Sequence, residues 1–131
     1  MKKLLLPLLL SLVFTGSAYA AADVYSCKYK TIELMGNNIK SNILSPEITL
    51  IVEKKQITSI YISSYSGKAE QDVFKILKED KRFGLVALKK PSWNSISTLY
   101  FNKRTKRFSM ADLILESVTS YSGNCTFMYT Q

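Results

Sequence analysis

Two hydrophobic patterns divide this chain. Residues 4–14 form an apolar run interrupted only by Pro7 and Ser11. From residue 23 onward, apolar and polar residues largely alternate, the period of strands with one buried face. EITLIVE (47–53) and QITSIYIS (56–63) are rich in β-branched residues and are separated by Lys54-Lys55, which reads as a hairpin. Residues 73–79 and 82–89 flank Asp80-Lys81, and SISTLYFN (95–102) and residues 106–110 flank Lys103-Arg104-Thr105. Two stretches also fit helical spacing. KAEQDVFKILK (68–78) could place Val73, Phe74 and Leu77 on one face, and SMADLILES (109–117) opens with a Ser-x-x-Asp cap signal. Charged tight turns frame both, so strands are the preferred reading.

No strand-helix-strand rhythm appears, which argues against a parallel sheet. The expected fold is all-β: a small antiparallel, mostly up-and-down barrel or rolled β-sandwich of about eight strands, with the first beside the last.

The leading apolar run follows Lys2 and Lys3 and ends in Ala18-Tyr19-Ala20, the small-x-small pattern of a signal-peptide cleavage site. At about 11 residues it is too short to cross a bilayer of roughly 30 Å. The expected organisation is a signal peptide over 1–20, cleaved near Ala20, and one β-barrel-like domain over 21–131, with no transmembrane span and a bacterial periplasmic or secreted location. Roughly 110 residues then remain, enough for a single core.

Export bears on the two cysteines. An oxidising compartment favours one disulfide between Cys27 and Cys125. Alternation puts Tyr25, Cys27 and Tyr29 on one strand face, and Cys125, Phe127 and Tyr129 on another, so paired terminal strands would be bridged there. A closed loop of roughly 100 residues corresponds to about 4.7 kcal/mol in the chain-entropy account.

The chain carries 18 Lys and Arg against 10 Asp and Glu, a net charge of +8, and an excess of cations survives loss of Lys2 and Lys3. Such a balance favours anionic partners. KRTKR (103–107) concentrates Lys103, Arg104, Lys106 and Arg107 at a hairpin tip, and up-and-down topology sends Lys54 and Lys55 to the same end. This patch is the candidate for anionic lipid or glycan. Without interleaved aromatics it does not resemble a nucleic-acid surface.

The longer loops, 36–46, 64–72 and 90–94, gather at the opposite end, joined by 120–124 if residues 106–118 form one bent strand. Tyr65, Trp93 and Tyr121 would then crown one rim as binding anchors, although Trp93 could instead fold back and plug the barrel. Large inward side chains are expected to fill the centre of so small a barrel.

Catalysis has little support. There is no histidine, no nucleophile elbow, no phosphate loop and no metal-ligand spacing, so no catalytic residue, metal or cofactor is assigned. Glu79-Asp80 and Glu70/Asp72 read as solvated carboxylates of a turn and a polar loop. The expected function is a non-catalytic binding module, an inhibitor or interaction protein of the bacterial envelope with an unidentified protein partner. Alternatives are a surface protein that holds anionic lipid or glycan, and a hydrolase of unknown type.

Overall fold

The computed structural model describes residues 21–35, 38–42, 46–63, 66–80, 82 and 84–131. They form β1 (Asp23–Met35), β2 (Asn38–Asn42), β3 (Glu47–Val52), β4 (Gln56–Ile62), β5 (Ala69–Asp80), β6 (Gly84–Lys89), β7 (Ser95–Asn102), β8 (Arg107–Ile114) and β9 (Ser117–Thr130). From β3 to β9 each strand pairs antiparallel with the next, and β1 closes the sheet between β3 and β9. β2 and β3 lie on the same side of β1, along Thr31–Met35 and Asp23–Lys28 respectively, and together act as one interrupted strand. The result is an eight-stranded up-and-down barrel.

Both ambiguous segments are strands, β5 and β8. A helix over 68–78 would bury Val73, Phe74 and Leu77 together. In β5 only Phe74 is fully buried, and Val73 and Leu77 face solvent.

Three expected loops are corrected, the 64–72 loop first, because β5 already begins at Ala69. The 36–46 connection contains β2, which gives Thr31–Met35 a ladder partner. The 120–124 segment is not a loop but lies inside β9, because the chain reverses earlier, at Leu115-Glu116, where Leu115 adopts φ 51°. That early turn lets β9 pair continuously with β8 and with the whole length of β1. The segment expected to be a signal peptide, residues 1–20, lies outside the described residues.

One half of the barrel interior is apolar. Leu50, Ile57, Phe74, Leu85, Leu99 and Phe101 are fully buried there, and Tyr25 packs edge-on to Phe101 with ring centroids 4.7 Å apart. Cys27 and Cys125 are directly opposed across β1 and β9, are disulfide-bonded, and have Cα atoms 4.0 Å apart. Cys27 meets Cys125 and Tyr25 meets Phe127 as alternation requires, whereas a bulge at Val24/Tyr25 shifts Tyr129 to pair with Val24.

Candidate functional site

The turns 53–55 and 103–106 close the apolar end. The connections 63–68, 90–94 and 115–116 close the other, here called the mouth. Trp93 stands on the 90–94 connection at 91% exposure, which excludes the plug reading. Its loop is short and internally tied: the Ser92 amide donates to the Ser95 carbonyl at 3.1 Å, and the Ser92 hydroxyl donates to Asn94 Oδ1 at 2.9 Å. Tyr65 lies outside the described residues. Tyr121 is not on the rim with Trp93; it occupies an inward position of β9 and is partly buried against Tyr29, with ring centroids 5.7 Å apart.

That inward position belongs to a polar layer. Counting inward along β1 from Cys27 gives Tyr29, Thr31 and Glu33; along β4 from Ile57, Ser59 and Tyr61; along β5 back from Phe74, Asp72 and Glu70. Asp112 on β8 and Lys89 on β6 complete the layer. The Tyr61 hydroxyl donates to Asp72 Oδ2 at 3.1 Å, and Lys89 Nζ donates to Asp72 Oδ1 at 2.6 Å. On the neighbouring strands, Asp112 lies near enough to Tyr121 to act on its hydroxyl electrostatically. Asp72 is thus not a solvated loop carboxylate: β5 begins at Ala69 and carries it into the barrel, opposite Ser59. Below it, the Ser59 hydroxyl is fully buried and has no hydrogen-bond partner among the described residues.

Electrostatics mark this layer as unlike the exterior. Four inward positions carry Glu33, Glu70, Asp72 and Asp112, and a single inward lysine, Lys89, opposes them. Burial first, then the charge of Asp72 and its hydrogen bond, push the Tyr61 hydroxyl far above its ordinary value of 10.0. Burial and Asp112 do the same to Tyr121, and burial alone raises Tyr29. The phenols are therefore held as neutral donors. Most of the layer is half-buried and presents aromatic faces, hydroxyl donors and carboxylates.

The cationic tip is well formed. Asn102 Oδ1 accepts the amides of Arg104 and Thr105, both at 3.0 Å, and the Asn102 carbonyl accepts the Lys106 amide at 2.8 Å. Lys103 lies 3.7 Å from Glu79, so one of its charges is partly answered. Lys54 and Lys55 are exposed at the same end. In strand order, however, the β3–β4 turn is diametrically opposite the β7–β8 turn, and the six cations do not form one cluster. Arg107 is joined instead by Lys28 and Lys30 around a shallow outer concavity of about 940 Å³ that also includes Ser109, Ser122 and Asn124.

Among the described residues, no group of three or more His, Cys, Asp or Glu side chains is placed to hold a metal ion, and no helix is long and apolar enough to cross a membrane. The sequence matches no protein-family model and no curated protein.

Proposed function

We propose that this is an exported, non-catalytic binding protein of the bacterial envelope that takes a small, hydrogen-bonding ligand with a cationic group at the mouth of its barrel. The reading is carried by one observation: inward side chains change from apolar to a hydrogen-bonded Tyr61–Asp72–Lys89 network, with Tyr121 and Asp112 beside it, in the half nearer the mouth. Sites that orient a ligand with a few convergent polar groups against aromatic walls are the common form of small-molecule pocket. Tyrosine faces and an excess of carboxylates favour an amine or guanidinium, and Trp93 stands where it can cover the occupied mouth.

Calorimetric titration of the mature protein with arginine, spermidine and glucosamine tests this reading. At least one probe should bind with saturation, and Asp112→Asn and Tyr121→Phe should each weaken it about tenfold, the scale of one charge-assisted hydrogen bond. Saturable binding to none of the three, or binding unaffected by both variants, would remove the mouth as the site.

A second reading is favoured by the Asn102-organised tip, which holds Lys103, Arg104 and Lys106 outward for an acidic glycan or lipid head group. Lys103→Ala/Arg104→Ala/Lys106→Ala should release lipopolysaccharide at low salt if this holds, and equal retention would reduce the tip to a solvated turn.

A further inference from the structure

The outer face of five strands carries a graded pattern. Direct register partners place Ile39, Leu34, Val118, Leu113 and Ile96 in one row across β2, β1, β9, β8 and β7. All five are between 36% and 72% exposed. Away from the mouth, the next row is Ile32, Ser120, Ala111 and Thr98. Behind it come Lys30, Ser122, Ser109 and Tyr100, and then Lys28, Asn124, Arg107 and Asn102. On β1 from Ser26 onward, and on β7, β8 and β9, every carboxylate within a strand, Glu33 and Asp112, faces inward, whereas Lys28, Lys30 and Arg107 face outward. At the mouth side the apolar row continues into Leu115, 70% exposed, and the Leu115 amide donates to the Asn94 carbonyl at 3.2 Å, joining this turn to the loop of Trp93.

We propose that this face docks on an anionic lipid bilayer, mouth end down. An apolar row of this length is a lateral patch, not the scattered exposed residues of an ordinary surface. Its chemistry selects lipid over a second copy of the chain. Lys28 faces Glu47 on β3, but Lys30 and Arg107 have no carboxylate register partner among the described residues. Both copies would bring these cations to a shared interface, whereas an anionic leaflet answers them. The spacing also fits. Rows two residues apart are separated by roughly 7 Å along the strand, so Lys30 lies about 14 Å behind Leu34 along the strand, less in depth if the strand is tilted. A lysine reaches back along its own stem, so its ammonium meets the phosphate level when the apolar row enters the acyl boundary. Trp93 takes the interfacial position tryptophan favours. The surface shares Trp93 with the mouth but is otherwise separate from the barrel interior, and it is separate from the Lys103–Lys106 tip at the far end.

The test is flotation of the mature protein with vesicles of phosphatidylcholine alone or with about a quarter phosphatidylglycerol. Wild type should float only with the anionic vesicles, and Trp93 emission should shift to the blue as it does so. Leu34→Thr/Leu113→Thr/Ile96→Thr keeps strand-forming residues at surface positions and should lower partitioning about tenfold or more. Lys28→Gln/Lys30→Gln/Arg107→Gln should do the same by removing the charge. Trp93→Ser, at a position without packing to lose, provides a variant whose folding is not in question and should weaken partitioning as well. Absence of wild-type binding would overturn the proposal. So would loss confined to the charge variant, which would mean adsorption by charge alone, or a stable wild-type dimer that the threonine variant dissociates.

Discussion

Gly123→Ala is the sharpest structural perturbation available. Gly123 sits on β9 opposite Tyr29 and Phe108, at an inward position where β1 and β9 approach closely. A Cβ there would overlap the Lys28 carbonyl oxygen and stand 2.8 Å from its carbon and 2.9 Å from Tyr29 Cα. These are backbone atoms, so no rotamer change relieves the contact; β1 and β9 must separate. Overpacking of this kind costs about 1–3 kcal/mol, and each ladder hydrogen bond lost adds about 1 kcal/mol. Loss of one or two bonds beside the clash gives about 3–5 kcal/mol, a large part of the 5–15 kcal/mol typical of a domain. Gly67→Ala is the control: its φ is 65° but nothing lies within 4 Å of an added Cβ, so only the backbone cost of about 1 kcal/mol applies. Urea unfolding followed by circular dichroism measures both. A Gly123→Ala penalty no larger than that of Gly67→Ala would refute the close approach of β1 and β9, and with it the closure that shapes the mouth.

Further outcomes follow from the same geometry. Replacing Cys27 and Cys125 with alanine should lower stability by about 2–5 kcal/mol in urea unfolding with strand content retained, and peptide mapping of the protein made under oxidising conditions should recover the two cysteines linked. The raised hydroxyls of Tyr25, Tyr29, Tyr61 and Tyr121 favour their neutral forms in the fold. Their contribution is fully present below the unfolded value of 10.0 and is lost as pH rises through the folded values. Stability should therefore fall above pH 10, and Tyr61→Phe/Tyr121→Phe should flatten that decline in pH-dependent unfolding. Acrylamide should quench Trp93 nearly as well as free tryptophan, consistent with its exposure; strong protection in the free protein would contradict the rim position.

The barrel and its staple were legible in the sequence because alternation and cysteine placement are local, countable features. Tight charged turns fixed the hairpins, and the two aromatic-cysteine faces fixed the closing pair. The mouth was less legible because the same tetrapeptide, Ser-Tyr-Ser-Gly, does two jobs. At 64–67 it ends in a glycine with φ 65°, as a turn requires; at 120–123 its glycine serves a close strand contact inside β9. Reading both as loops put Tyr121 on the rim. The same habit of treating polar runs as loops hid Asp72, whose inward direction follows from counting back two residues from Phe74. The exterior apolar row could not be read at all, because it depends on the register of five strands and no single strand shows it.

The central claim is that the polar layer at the mouth is a ligand site. Its most direct test is titration of isotope-labelled protein spanning residues 21–131 with spermidine, followed residue by residue by nuclear magnetic resonance. The account predicts saturable shifts centred on Tyr29, Tyr61, Asp72, Lys89, Asp112 and Tyr121, with Trp93 responding as the mouth is covered. Shifts absent from these residues, or confined to the exterior, would contradict it.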